Sequence, residues 1–164
     1  MLEKALLYAN RVHDPDYLPH PVQVMENLRE IGRVTDDELL ATALLHDTLE
    51  WGSGDLTELN EQFGERVANL VKQLTRTEPD NPKDYSRKEL LKLRHKLLMA
   101  DIAVMSEDAK QIKLADRLAN LHERIEIEPP EKLRKYKVKT KDLLSHIDRK
   151  VNPPLWDAIE KLLT

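Results

Sequence analysis

Between Ala41 and Trp51 the sequence reads ATALLHDTLEW, and within this otherwise apolar run stand His46, Asp47 and Glu50. An imidazole beside carboxylates can ligate a divalent cation or hand on protons. Removing an unpaired carboxylate from water is strongly unfavourable, so a buried stretch of this kind demands a partner. The chain contains no cysteine. Disulfides and thiolate sites are therefore excluded, and any metal must be held by imidazole and carboxylate.

A second stretch, QIKLADRLANL at 111–121, offers a complementary group. On a helix, Leu114, Leu118, Leu121 and Ile125 form one stripe and Ala115 and Ala119 a small-residue surface. Asp116 sits beside that surface, with Lys113 and Asn120 close by. Small side chains let helices approach closely, which places Asp116 to meet His46 and Asp47 across a helix interface. The competing expectation is a plain salt bridge from Asp47 to Arg117 or Lys113. Another doublet, His13-Asp14, is followed by proline and aspartate and reads as a solvated pair at a helix end.

The elements that must position these groups are helices. Leu, Lys, Glu and Ala dominate, only four Gly and one Phe are present, and β-branched runs are missing, which defines an all-α composition. A chain of 164 residues supports one domain over 1–164 with a substantial core. Apolar spacing and breakers predict helices over 2–12, 21–31, 35–50, 57–62, 65–74, 85–100, 106–125, 131–150 and 152–163. His20 falls at the junction between the loop DPDYLP and the second helix. The helix over 35–50 is apolar nearly all round and reads as buried. The polar stretch TRTEPDNPKD is the longest loop, a lid or a connector.

Net charge is -4 and the pI is near 5.9, so no general electrostatic attraction to nucleic acid or an anionic membrane is expected. The first residues, MLEKALLYANRVHD, lack a signal peptide's apolar core, and no apolar run approaches membrane-spanning length. A cytoplasmic location is expected, and oligomeric state is left open.

Three segments, Tyr17-Leu18-Pro19-His20-Pro21, ALLHDTLE at 43–50 and KLADRLANL at 113–121, occur in that order with FGERVA at 63–68 between the last two. In order and spacing they resemble the HD-domain metal phosphohydrolases, and within them the RelA/SpoT-type guanosine-polyphosphate (ppGpp, alarmone) hydrolases. The resemblance covers residues 1 to about 150 and implies a helical bundle of eight to nine helices. It implies a metal set of His20, His46, Asp47 and Asp116, which suits Mn²⁺ or a similar divalent ion better than a closed structural zinc site. Glu50 matches the first acid of the family's Glu-Asp pair, which orients the attacking water or passes its proton. Arg11 and Asn120 match residues that face the nucleotide, and Lys113 and Tyr136 are further substrate contacts. The implied substrate is a small nucleotide, and the implied reaction removes pyrophosphate from the ribose 3′ position, leaving GDP or GTP.

Three departures from that pattern touch substrate or water handling. Trp51 replaces the second acid, Val12 a lysine, and DPDYLP is shorter than the family's basic loop. They keep two rivals open: a related HD nucleotidase acting on another nucleotide, and a noncatalytic module that binds metal or nucleotide for regulation.

Overall fold

Side-chain caps start most of the helices in this chain. The computed structural model describes residues 1–164, all helix, turn and loop without a strand, as the composition predicts. In order they are α1 (Leu2–Val12), α2 (Pro19–Glu26), α3 (Asp37–Leu45), α4 (Leu56–Phe63), α5 (Glu65–Leu74), α6 (Arg87–Val104), α7 (Glu107–Ile127), α8 (Pro130–His146) and α9 (Pro153–Leu162). Asp36, Asp55, Ser106 and Asn152 each accept a backbone N–H at a helix start. Ser86 and Glu89 do so reciprocally at α6. Each cap satisfies a donor that helix geometry leaves open. No helix is long and apolar enough to cross a membrane.

Several expected boundaries shift, α6 ending at Val104 rather than 100 and α8 at His146 rather than 150, and two of the shifts bear on the site. The third helix stops at Leu45 rather than Glu50, and residues 46–51 form turns. His46 Nδ1 takes the carbonyl of Ala43 at 2.8 Å and Thr48 Oγ1 that of Leu45 at 2.7 Å. The backbone tightens here, Thr48 N donating to Leu45 O at 3.0 Å in place of a bond four residues back, and these side-chain bonds accompany the turn. The second helix begins earlier than expected, at Pro19, which puts His20 inside its first turn. It continues beyond Glu26 as a π turn over Asn27–Ile31.

α3 and α7 form the middle of the core. Every residue from Leu39 to Leu45 is buried, as the apolar pattern predicts. Leu39, Leu40 and Ala43 pack into a cluster with α7 and α9, whereas Ala41, Leu44 and Leu45 join α1, α4 and α5. On α7, Ile112, Leu114, Leu118 and Leu121 are fully buried, each contributing roughly 1.5–3 kcal/mol of transfer free energy. Ile125, expected on the same stripe, is partly exposed instead, because the stripe runs out of the core near the helix end. The small-residue surface of α7 lets α2 approach, and Asn27 Nδ2 donates to the carbonyl of Ala115 at 3.2 Å. Arg66 ties α5 to the starts of α3 and α7 through Asp36, Glu38 and Asp108.

Candidate metal centre

Three elements converge on one point. His20 comes from the first turn of α2, His46 and Asp47 from the turn that ends α3, and Asp116 from the middle of α7. Because His46 Nδ1 donates to Ala43, the Nε2 lone pair faces inward. That Nε2 is buried without a hydrogen bond, 3.0 Å from Asp47 Oδ2 and 3.7 Å from Asp116 Oδ1. His20 Nε2 lies 3.2 Å from Asp116 Oδ1 and 3.9 Å from Asp47 Oδ2. Ligand atoms of His20, His46 and Asp47 all fall within 4.8 Å of one another.

A lone pair held among carboxylate oxygens repels them unless a proton or cation lies between. The electrostatics carry that demand. Burial opposes charge on His46, but Asp47 and Asp116 outweigh it and lift its pKa from 6.5 to about 10. Burial would raise the Asp116 carboxyl, yet Lys113, His20 and His46 hold it well below the usual range. Two imidazoles and two carboxylates around such a point fit a divalent cation.

Neighbouring side chains fix the carboxylates. The Tyr17 hydroxyl donates to Asp47 Oδ2. Lys113 Nζ donates to Asp116 Oδ2 at 2.9 Å, and Asn120 Nδ2 to Asp116 Oδ1 at 2.7 Å. Lys113 and Asn120, the expected substrate contacts, each bond to Asp116 in this structure. The expected rival salt bridge from Asp47 to Arg117 or Lys113 is absent. Arg117 instead donates to Thr140 and lies over Tyr136. Tyr17 opens the segment Tyr17-Leu18-Pro19-His20-Pro21, but the role of its hydroxyl is not legible there, since Asp47 lies 30 positions away.

Glu50 lies at the edge of the cluster. It accepts the backbone N–H of Arg76 at 3.2 Å, and Arg76 Nε is 2.9 Å from its Oε1. Burial, with help from Asp47, raises the Glu50 carboxyl above its ordinary 4.5, against the pull of Arg76. The Arg76 guanidinium also lies 5.0 Å from the Trp51 ring, which is 57% exposed. Arg76 belongs to the expected loop, whose first residues are thus anchored beside the site, and Thr77 is bound to Asp101.

Three further expectations meet different fates. Arg11 is not brought to the cluster: it is exposed and bonded to Glu58 at 2.5 Å. Tyr136 lies between Arg117 and Arg124, at 4.8 and 4.2 Å. His13 is buried rather than solvated, with neither ring nitrogen bonded. The loop after Trp51 covers it, Ser53 N donating to the carbonyl of Val12 at 3.1 Å. Beside His20 opens a cavity of about 640 Å³ bordered by Asp16, Asn120, Glu123 and Glu126, with no lysine or arginine in its wall.

Comparison with known proteins gives the family. A family model described as HD domain matches residues 3–151. A guanosine-3′,5′-bis(diphosphate) 3′-pyrophosphohydrolase MESH1 of Xenopus tropicalis is 36% identical over 117 residues, 69% of this chain and 60% of the relative. The guanosine-3′,5′-bis(diphosphate) 3′-pyrophosphohydrolase of Aquifex aeolicus is 38% identical over 107 residues, 64% of this chain and 14% of that protein. The chain thus spans about three fifths of the first relative's length. A solved structure described as a metazoan ortholog of SpoT that hydrolyzes ppGpp superposes with a TM-score of 0.81 at 28% identity, covering 98% of this chain and 92% of that one. Since the family model spans nearly the whole helical array around His46 and Asp47, the chain belongs to the HD domain family.

Proposed function

We propose that this protein is a metal-dependent phosphohydrolase that removes pyrophosphate from the 3′ position of guanosine polyphosphates. The observation that carries the reading is the buried, unbonded Nε2 of His46 facing Asp47 and Asp116. The named activity of the relatives supports the substrate.

His20, His46, Asp47 and Asp116 would hold a divalent ion, and a mixed set of two imidazoles and two carboxylates suits Mn²⁺ or a similar ion. When bound, that ion supplies Lewis-acid polarisation of a phosphoryl oxygen and lowers the pKa of the attacking water. Tyr17, Lys113 and Asn120 orient the carboxylates and keep them ionised. Glu50 takes the proton as water attacks phosphorus, and burial, by raising its pKa, makes it a better proton acceptor than an exposed carboxylate. Arg76 fixes the direction from which Glu50 works. Arg11, released from Glu58, and Tyr136 contact the nucleotide. The bond from phosphorus to the 3′ oxygen breaks, the proton held by Glu50 passes to that oxygen, and pyrophosphate separates from GDP or GTP.

A second reading, hydrolysis of another nucleotide, draws on the acid-bordered cavity beside His20 and on the exposed Trp51. Carboxylates repel a doubly diphosphorylated ligand on that side, and an indole offers a base a stacking surface. A Mn²⁺-supplemented screen of guanosine 3′-diphosphate 5′-diphosphate and nucleoside monophosphates separates the two. Release of intact pyrophosphate from the former supports the proposal. Orthophosphate release from monophosphates, with the bis-diphosphate untouched, overturns it in favour of the second.

A further inference from the structure

α6 keeps most of its length outside the core. Of its residues only Met99 and Ile102 are buried. Its first turns face α8 across a groove of about 760 Å³, walled by Arg87, Lys88 and Lys92 on one side and Lys135 and Lys139 on the other. Leu91 and Val138 supply its apolar surface, exposed by 47% and 62%. No carboxylate lines it.

This segregation runs against the composition. Acids outnumber cations in the chain, 30 to 26, yet of the five groove cations only Lys135 has an ion-pair partner, Glu131 at 2.9 Å. The positive field continues inward. Burial, together with Arg117 and Arg124, holds the Lys139 ammonium below the usual lysine range. Arg117 is itself buried with its Nε unbonded. Beyond the groove, His95 Nε2 meets Asp142 Oδ2 at 2.6 Å. Positions 88, 92 and 95 thus face 135, 139 and 142, and the two helices run parallel as a ready-made two-helix cradle.

Bare phosphate would engage the cations and leave Leu91 and Val138 in water. Stacked bases favour an aromatic platform, and the groove has none. A helix with apolar side chains at i, i+3 and i+4 flanked by Asp and Glu satisfies both features. We infer that the α6–α8 groove is a docking surface for an acidic amphipathic helix of a partner protein. Its apolar stripe rests on Leu91 and Val138, and its carboxylates meet Lys88, Lys92 and Lys139. The contact extends over two turns or so, which places the interaction among small, transient interfaces.

The test uses the full chain and a fluorescent 14-residue helical peptide carrying Leu at i, i+3, i+4 and i+7 with Glu at the flanking positions. Oligouridine and a scrambled peptide of the same composition serve as competing probes. The stripe peptide is expected to bind with a Kd on the order of 10–100 µM at low salt. Weakening of about tenfold or more is expected for Lys88→Glu/Lys92→Glu and, separately, for the charge-neutral Leu91→Ser/Val138→Ser. These side chains lie on the surface, so circular dichroism and metal-dependent hydrolysis are expected to stay unchanged. Equal binding of the scrambled peptide, tighter binding of oligouridine, or binding indifferent to Leu91→Ser/Val138→Ser would overturn the inference.

Discussion

Oδ1 of Asp116 lies 3.2 Å from Nε2 of His20, although 96 positions separate the two residues. The same oxygen accepts from Asn120 and lies 3.7 Å from His46 Nε2. One carboxylate on α7 thereby joins α2 to the turn after α3.

Asp116→Asn keeps the shape of that side chain and removes its charge. The wild-type chain is expected to carry about one divalent ion, and the variant to lose both the ion and Mn²⁺-dependent hydrolysis, by more than about 100-fold. Elemental analysis beside a turnover assay checks this. A variant that retains metal and normal turnover is incompatible with the proposed centre.

Metal-free stability is expected to depend on His46. Its folded pKa, about 10, lies above the ordinary 6.5, so the charged imidazolium stabilises the fold fully below pH 6.5. That contribution is lost as pH rises through about 10. In chelator, Tm should fall across this window, whereas saturating divalent ion should flatten the dependence by taking the proton's place. A chelated protein whose Tm stays level from pH 6.5 to 10 contradicts the account.

Glu50 must be ionised to accept a proton, and burial raises its pKa above 4.5. Turnover should therefore decline as pH drops, along an acid limb lying above 4.5. Glu50→Gln is expected to lower kcat by roughly 10²–10⁴ and to remove that limb. Since Arg76 pulls the pKa down, Arg76→Ala should move the limb to higher pH. A pH–rate profile of the three proteins decides it, and coincident limbs in wild type and Arg76→Ala speak against the arrangement.

Asn152 holds the C-terminal helix far from this chemistry. Its Nδ2 donates to Gly32 O at 3.0 Å and Gln111 Oε1 at 3.1 Å, while its Oδ1 accepts from Leu155 N at 3.2 Å. Asn152→Ala leaves buried groups unpaired and should cost about 1–3 kcal/mol without altering metal content. Denaturant unfolding measures the loss, and an unchanged midpoint refutes it.

Much of this molecule was legible in its sequence. Periodicity matches α1 and α5 to the residue, because Asp14-Pro15-Asp16 shortly beyond Val12 and polar residues after Leu74 mark their ends. The all-round apolar character of 39–45 announced burial, and small residues beside Asp116 announced a close helix approach. The family resemblance then pointed to His20 and Asp116 as partners of His46 and Asp47, and the fold brings the four together.

Local and long-range polar contacts were not legible. α3 gives way to a tight turn in which His46 and Thr48 side chains bond the carbonyls of Ala43 and Leu45, contacts that hydropathy does not encode. Arg76 reaches Glu50, Tyr17 reaches Asp47, and Arg11 turns to Glu58 instead of the centre. His13 is buried because the turn after Trp51 folds over it. The sequence by itself determined which helices exist, which faces are buried and which residue types could bind a metal, since these follow from local periodicity and composition. Only the tertiary structure decided which polar groups meet, because a hydrogen bond or ion pair forms within a few ångströms, and that proximity is set by packing between distant segments.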